Sequence, residues 1–322
     1  MSTRLQRTWD GLPIAPDEPH GAAIIVRRPG GCGGEREYLI LHRAHRGPDY
    51  EGDWAWTPPS GSRQPGESVL RAALRELAEE SGIQARLADL RALDLSGAWA
   101  CFGLDVAAEM PVRLDAEHDK FEWLPASRAL VYCKPDLAAA GIAKADCAAT
   151  AAISFRSLSM EDLPDLVAWQ HAPHAAPWFP ESLDLPAAER KYGPRIEGLS
   201  PTKVHVALVD GRPCGFLQHY RVADYPQYAA ATGKPESIAI DYAIGVEELT
   251  GHGLGPQLIW GYLRDIVRTA HPAARLAVAS PDVANTRSIR ALEKTGFVPA
   301  GQIETDGPRE MLCELDLVKF LG

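Results

Sequence analysis

Residues 58–83 read "PPSGSRQPGESVLRAALRELAEESGI", and this stretch decides the fold of the first half of the chain. A turn rich in glycine and proline precedes a segment in which Leu70, Leu74 and Leu77 recur at the i, i+4, i+7 spacing. That spacing predicts a helix with one buried face. Gly82 follows the last apolar turn, where a left-handed residue commonly ends a helix.

The same helix carries three carboxylates on another face. Glu76, Glu79 and Glu80 fall at i, i+3 and i+4, where each pair repels by a few tenths of a kcal/mol. A hard cation such as Mg²⁺ or Mn²⁺ removes that repulsion, because it prefers carboxylate oxygen and can bridge to a substrate phosphate. Three glutamates alone are more often a solvated helix face, so the surrounding spacing has to decide.

That spacing resembles a complete Nudix box. The matching positions, in order, are Gly61, Glu67, Arg75, Glu76, Leu77, Glu79, Glu80, Gly82 and Ile83. The resemblance implies an α/β/α sandwich that hydrolyses a nucleoside diphosphate linked to another group, with Mg²⁺ or Mn²⁺ as cofactor. The chain departs from the family at one point, since Ser60 and Gly61 stand where two glycines are usual.

The resemblance also assigns roles around the helix. Glu76, Glu79 and Glu80 match the metal-binding and base-donating positions, and Gly61 joins the predicted metal site. Glu67 and Arg75 match the pair that holds the loop to the helix. The residue Glu117 lies where some members supply a further metal-binding or basic carboxylate; an exposed loop glutamate is the alternative.

A second turn with functional potential lies in "GHGLGPQLIWGYLRDI", residues 251–266. Gly251, Gly253 and Gly255 directly precede a predicted helix, where backbone N–H groups and the helix dipole favour an anion. Alone, this is also the pattern of a plain glycine-rich turn. Pro256 fits the first turn of the helix but removes one possible phosphate donor.

Together with "NTRSIRALEKTGF" at residues 285–297, this turn resembles the acetyl-CoA site of GNAT N-acetyltransferases over residues 155–318. The resemblance implies a mixed-sheet fold, acetyl-CoA as cofactor, and pyrophosphate bound by the turn. The implied cofactor-binding residues are Ile244, Val246, Gly251, Gly253, Leu254, Gly255 and Asn285.

Within that family the chain is most similar to aminoglycoside 6'-N-acetyltransferases. The resemblance rests on "AIDYAIGVEELTGHGLG" (239–255), "GFLQHY" (215–220) and the late "DGP" (306–308). It implies that Asp241 is a base or amine anchor and that Tyr220 substitutes as the general acid. The implied substrate-binding residues are Trp178, Gln218, Asp241 and Asp306. For Asp241 a strand-end acceptor, and for Trp178 core packing, are the alternatives.

Three positions depart from that subfamily. Ser280 replaces an acidic residue, Val298 replaces another, and Leu292 stands where a tyrosine is expected. We therefore expect a small cationic, aminoglycoside-like acceptor with altered selectivity. The alternatives are a Nudix half that only senses a ligand or acts as a scaffold, and a transferase half that acetylates another small amine or a protein amine.

The predicted fold class is α/β (α+β), with a Nudix sandwich over 1–148 and a GNAT mixed-sheet domain over 149–322. The boundary is placed near 145–150, within the alanine-rich and nearly featureless stretch 135–152; a helix over part of that stretch is the alternative. A net charge of −10 and a pI near 5.5 disfavour nucleic acid as a partner and are compatible with cationic partners. The two resemblances imply small-molecule substrates. Six scattered cysteines and the lack of a long apolar run predict a cytoplasmic protein without a membrane partner. The oligomeric state stays open.

Overall fold

The computed structural model describes residues 7–8, 11–31, 34–148, 150–179, 181, 183–305 and 307–322. The chain divides into two compact units, residues 1–148 with 318–322 and residues 149–317. Within the described residues, no helix combines the length and apolarity needed to cross a membrane.

The first unit contains a mixed seven-stranded sheet with three helices. Its elements are β1 (Gly21–Arg28), β2 (Glu37–Arg43), β3 (Trp56–Thr57), β4 (Ser60–Ser62), α1 (Val69–Ser81), β5 (Arg91–Asp94), β6 (Trp99–Asp105), β7 (His118–Pro125), α2 (Ala126–Tyr132) and α3 (Asp136–Cys147). The main strand order is β3-β2-β1-β6-β5, while β4 pairs with β1 and β7 pairs with β2. Strands β1 and β6 run parallel, and the other pairs are antiparallel.

Helix α1 forms as the sequence predicts. The hydroxyl of Ser68 caps it by accepting a hydrogen bond from the backbone N–H of Arg71, and Gly82 ends it with φ 70°. Leu70 and Leu77 are fully buried, although Leu74 is only half-buried. The carboxylate of Glu80 is also buried, at 5% exposure, so it does not lie on a solvated face.

The alanine-rich stretch is helical over most of its length, as the alternative reading of the sequence allowed. Residues Asp136–Cys147 form helix α3, whose Ala139, Ile142 and Ala145 pack into the core of the first unit. These small side chains recur every three residues, so they build one flat buried face of a helix. The guanidinium of Arg27 donates to the Ala145 carbonyl oxygen at 2.7 Å, which fixes the helix against β1.

The second unit is a seven-stranded sheet in the order β13-β14-β12-β11-β10-β9-β8. Its strands are β8 (Ile153–Ser157), β9 (Lys203–Val209), β10 (Arg212–Arg221), β11 (Ile238–Ile244), β12 (Leu276–Ala279), β13 (Val298–Ile303) and β14 (Glu310–Asp316). Its helices are α4 (Leu163–His171), α5 (Leu185–Ile196), α6 (Pro226–Thr232), α7 (Leu254–Tyr262), α8 (Arg268–Ala270) and α9 (Thr286–Lys294). A last short helix, α10 (Leu317–Leu321), ends the chain.

Two local features of this sheet position the site. Asp210 and Gly211 have φ 49° and 75°, the two positive angles that a tight β9–β10 hairpin requires. Strand β11 pairs with β10 along its full length, but with β12 only at Ile238 and Ala239. The strands β11 and β12 therefore separate, and residues 240–244 have no strand partner on that side in the described part of the chain.

Candidate active sites

The first unit holds a cavity of about 610 Å³ on which the predicted glutamates converge. Glu76, Glu79, Glu80 and Glu117 all line it, together with Gly61. The first three lie on α1, and Glu117 immediately precedes β7. The cavity therefore brings the four carboxylates of the predicted metal site to one place.

Arg75 joins the loop to the helix as expected. Its Nε and Nη2 donate to the two carboxylate oxygens of Glu67 at 2.9 and 3.0 Å. Its Nη1 donates to Glu76 at 2.7 Å and to Glu79 at 3.0 Å. One guanidinium therefore offsets the repulsion within the glutamate group. Burial still raises the pKa of Glu76, and Arg75 opposes that rise.

Glu80 is the most buried member of the group. Its Oε2 accepts a hydrogen bond from the backbone N–H of Ser60 at 2.7 Å. Burial raises the pKa of Glu80 well above 4.5, while the Ser60 N–H acts in the opposite direction. The neighbouring Gly61 lies against Glu76, because a Cβ added there would sit 2.0 Å from the Glu76 Cδ.

Two residues near Glu80 were missed in the sequence. The register of β2 and β7 pairs Arg43 with His118. The cavity-lining Arg43 and the neighbouring His118 each bury a nitrogen, Nε and Nε2 respectively, that has no hydrogen-bond partner in the part of the chain that the structure describes. The His118 Nε2 lies 3.9 Å from Glu80 Oε1, and burial lowers the pKa of this imidazole. Only the strand pairing, which joins residues 75 positions apart, could have revealed them.

The rim of the same cavity carries two exposed indoles. Trp54 is 44% exposed and Trp99 is 42% exposed, and both line the cavity. Trp54 has φ 65°, a left-handed backbone that a bulky residue seldom adopts and that often marks a functional site. The ring of Trp99 lies on Gly21, where an added Cβ would come within 2.5 Å of it.

In the second unit the glycine turn begins helix α7. Gly251 and Gly253 have φ 82° and 71°, and Gly253 is the residue that precedes the helix. Leu254 and Gly255 then lie in the first turn of α7, whose backbone N–H groups have no partner within a helix. An added Cβ at Gly251 would meet no heavy atom within 4 Å, so the backbone there is open to a ligand.

The other residues expected at this cofactor have partners within the chain. The carbonyl oxygen of Ile244 accepts from the Nε2 of His174 at 2.8 Å, and the N–H of Val246 reaches the Cys214 carbonyl at 3.3 Å. The side-chain oxygen of Asn285 caps α9 by accepting from the Ser288 N–H. Asn285 therefore orders the helix through its oxygen.

Asp241 lies in a hydrogen-bonded chain. The amide of Gln218 donates to Asp241 Oδ2 at 2.7 Å and accepts from Arg195 Nη1 at 2.7 Å. Burial raises the pKa of Asp241 above 3.8, and the bond from Gln218 opposes that rise. Tyr220 lies two residues along the same face of β10; burial, and then the charge of Asp241, raise its pKa well above 10.

A further carboxylate near Asp241, that of Glu310, was also missed in the sequence. Ser280, which replaces an acidic residue of the subfamily, bonds to the hydroxyl of Tyr228 at 2.9 Å and to the carboxylate of Glu310. Burial raises the pKa of Glu310, and the charge of Asp241 adds to that rise. Glu310 therefore returns a carboxylate to the place where the local motif lacks one. Ser280 and Glu310 come together only because β12 pairs with β14, so no local sequence pattern predicts their contact.

Comparison with known proteins assigns both units. The profile of the NUDIX domain matches residues 18–145, and that of the acetyltransferase (GNAT) domain matches residues 159–305. The chain is a Nudix domain followed by a GNAT domain. These two matches confirm the predicted fold class and the two predicted families. Both families are enzyme families.

Individual relatives match parts of the chain. An octanoyltransferase of Myxococcus xanthus is 35% identical over 129 residues, covering 36% of this chain and 33% of that protein. A bis(5'-nucleosyl)-tetraphosphatase (asymmetrical) of Mus musculus is 33% identical over 101 residues, covering 27% of this chain and 63% of that protein. The chain thus spans less than two thirds of either curated relative. The structure of the aminoglycoside acetyltransferase AAC(6')-Ib with coenzyme A is 22% identical, with a TM-score of 0.47, and covers 51% of this chain and 95% of that one.

The chemistry of the Nudix glutamates suits a divalent cation. Four carboxylates on one cavity form the oxygen donor set that Mg²⁺ and Mn²⁺ prefer. As they stand, no three acidic, histidine or cysteine side chains of the described residues are placed to hold an ion together. The guanidinium of Arg75 instead compensates Glu76 and Glu79.

Four further positions of the GNAT domain were named in the sequence analysis: the predicted substrate residues Trp178 and Asp306, and the departures Leu292 and Val298. Trp178 is half-buried in a short 3₁₀ turn, and no contact found among the described residues joins it to Asp241. Leu292 is fully buried in the core, and its hydrocarbon side chain has no proton to donate in place of a tyrosine. Val298 is 63% exposed, while Asp306 lies outside the described residues.

Proposed function

We propose that the Nudix domain hydrolyses a nucleoside-diphosphate-type anhydride in the presence of Mg²⁺ or Mn²⁺. The observation that carries this proposal is the convergence of Glu76, Glu79, Glu80 and Glu117 on one cavity, with Gly61 placed against the Glu76 carboxylate. A module that only binds a ligand has no need for four clustered carboxylates, since each must be kept charged against burial and mutual repulsion.

Glu76, Glu79, Glu80 and Glu117 are the residues that would hold the metal. When bound, a divalent cation neutralises phosphate charge and lowers the pKa of a coordinated water. Glu80 is also our candidate base, because its buried carboxyl has a raised pKa and is oriented by the Ser60 N–H. Metal binding and base catalysis would thus both come from side chains that line one cavity.

The rest of the cavity supports an anionic substrate with an aromatic part. The buried Arg43 Nε has no partner, and a phosphate oxygen would satisfy it. Trp54 and Trp99 expose indole surface at the rim, on which a planar base can stack. The mouse relative is named a bis(5'-nucleosyl)-tetraphosphatase, and a dinucleoside polyphosphate is therefore the first substrate to try.

We propose that the GNAT domain transfers an acetyl group from acetyl-CoA to an amine. The open turn at Gly251 and Gly253 and the first turn of α7 offer N–H groups to the pyrophosphate. Strand β11 leaves residues 240–244 without a strand partner on one side, so an extended pantetheine arm can lie there. The amine attacks the thioester carbonyl, an amide forms, and the CoA thiolate leaves.

The acceptor that fits best is a small polyamine-like cation of the aminoglycoside type. Asp241 and Glu310 interact electrostatically across the site, and an ammonium group between them relieves their repulsion. Asp241 anchors or deprotonates the amine. Tyr220 stays protonated at neutral pH because burial raises its pKa, and it can donate that proton to the thiolate. Acetylation of such an acceptor would give antibiotic resistance.

A panel assay tests both proposals on the whole chain. Phosphate release is measured with dinucleoside polyphosphates, nucleotide sugars and nucleoside triphosphates, each with Mg²⁺, Mn²⁺ or EDTA. Thiol release from acetyl-CoA is measured with aminoglycosides, polyamines, amino acids and a peptide amine. We expect metal-dependent cleavage and acetylation of a polycationic amine. Cleavage that persists in EDTA, or thiol release only with the peptide, contradicts the corresponding half. The scattered free thiols suit a cytoplasmic setting for both reactions.

A further inference from the structure

The GNAT domain also has a cavity with a markedly cationic lining, and one of its lining residues, Arg195, bonds to Gln218 beside Asp241. It measures about 260 Å³, enough for roughly eight waters at about 30 Å³ each. Arg195, Lys203, His205 and His219 line it, and no lining residue is acidic. Such a lining is unexpected in a chain with a net charge of −10.

Neither permanent charge has a direct ion pair in the described residues, although the charge of Arg195 acts on Asp241 through the intervening Gln218. No ion pair joins Arg195 or Lys203 to a carboxylate anywhere in the described ranges. Arg195 donates one N–H to the neutral amide of Gln218, which leaves its charge uncompensated by that bond. Two positive charges facing one cavity match a ligand that carries two negative charges.

The two imidazoles are held in fixed orientations. The Nδ1 atoms of His205 and His219 both hydrogen-bond the Tyr262 hydroxyl, at 2.9 and 2.8 Å. Tyr262 has one proton to donate, so one ring accepts it while the other donates its own Nδ1–H. The first ring therefore carries an Nε2–H, which is a donor. Neither Nε2 has a hydrogen-bond partner among the residues that the structure describes.

Two further observations support a binding role. Ile266, another lining residue, belongs to the π-helical turn Leu263–Val267, and such turns are frequent at functional sites. Burial, and then the charges of His271, His205 and Lys203, lower the pKa of His219 to about 3. An anion in the cavity offsets both effects and makes protonation of an imidazole favourable.

We propose that this cavity binds a small oxyanion dianion, of the inorganic phosphate or phosphomonoester type. A phosphomonoester carries −1.5 to −2 charges at pH 7, which matches Arg195 and Lys203. The His205 and His219 pair supplies an additional donor and excludes larger, apolar ligands. This inference needs neither reaction assignment: Arg195 touches the acceptor site only through its bond to Gln218, and Lys203, His205 and His219 have no role assigned there.

The test is a titration of the full chain with inorganic phosphate, glycerol 2-phosphate and acetate, followed through the imidazole NMR signals of His205 and His219. These signals separate binding here from binding at the Gly251–Gly255 turn or in the Nudix cavity. We expect saturable shifts with both phosphate compounds and none with acetate at equal concentration. Shifts with inorganic phosphate alone would show that the cavity binds the free ion. Shifts with both compounds would show that it also binds a phosphomonoester.

Two variants complete the test. Lys203 is exposed at the start of β9, so Lys203→Gln should fold normally and weaken phosphate binding about tenfold or more. Arg212→Ala removes an exposed cation at the start of β10 that does not line the cavity, and it should bind as the parent does. The proposal is overturned if phosphate moves neither imidazole signal. Equal weakening by both variants, or none by Lys203→Gln, also overturns it.

Discussion

Replacing Gly61 by alanine should disable the Nudix reaction alone. An alanine Cβ would lie 2.0 Å from the Cδ of Glu76 and 2.2 Å from each of its carboxylate oxygens. Carbon atoms in contact sit about 3.5–4.0 Å apart, so the carboxylate must move by roughly 1.5 Å or more. A displacement of about 1 Å in a catalytic group can cost about 10²-fold. We expect kcat/KM for anhydride cleavage to fall at least about 100-fold.

The assay is metal-dependent phosphate release by full-length protein, with thiol release from acetyl-CoA as the internal control. Gly66→Ala is the matched variant, since Gly66 lies in the same loop and an added Cβ there meets nothing within 4 Å. Its φ of 80° means that alanine costs about 1 kcal/mol of stability without touching Glu76. Gly66→Ala should therefore melt at a lower temperature but cleave normally.

A folded Gly61→Ala variant that keeps its kcat/KM within about threefold of the parent, at the same metal concentration, would contradict this role of Gly61. In that case the placement of Glu76 against the loop does not matter for turnover. Equal losses in Gly61→Ala and Gly66→Ala would also contradict it, because they would reflect strain in the loop and not displacement of Glu76.

Four further changes probe other parts of the chain. Gly253→Asp should weaken coenzyme A binding at least about 100-fold in calorimetry, because it places a carboxylate where pyrophosphate approaches; unchanged affinity would refute the turn assignment. Burial raises the pKa of Asp241, and the active form is the carboxylate, so acetyl transfer should fall as the pH drops through a value above 3.8. That acidic limb should disappear in Asp241→Asn, and an unaltered profile would exclude Asp241 as its origin. Glu310→Gln should raise KM for cationic amines about tenfold but leave KM for acetyl-CoA unchanged, and equal effects on both would remove Glu310 from the acceptor site. Arg27→Met removes the buried guanidinium that bonds Asp105 and the Ala145 carbonyl, and because Arg91 still pairs with the exposed Asp105 it should lower the free energy of unfolding in urea by about 1–3 kcal/mol, whereas no measurable loss would show that these bonds contribute little.

Local sequence patterns predicted the parts of each site that lie on one segment. The helix with Glu76, Glu79 and Glu80 and its end at Gly82 follow from spacing and from the φ > 0 that glycine tolerates. In each case the physical cause acts between residues a few positions apart, so it is visible in the order of the residues.

The residues that were missed depend on pairings between distant segments. Arg43 meets His118 only because β2 pairs with β7, and Glu310 reaches Ser280 only because β14 lies beside β12. The role of helix α3 was hidden for a related reason. Its alanines carry little hydrophobic signal, yet small side chains are what allow it to pack closely and to form one wall of the Nudix cavity.

If one chain carries two independent active sites, a crossed assay of two variants should separate them. Full-length Glu80→Gln and Asp241→Asn are each measured for metal-dependent anhydride cleavage and for acetyl transfer. We expect Glu80→Gln to lose at least about 100-fold in cleavage and to keep acetyl transfer, and Asp241→Asn to show the reverse. Full cleavage by Glu80→Gln, or full acetyl transfer by Asp241→Asn, would contradict the account.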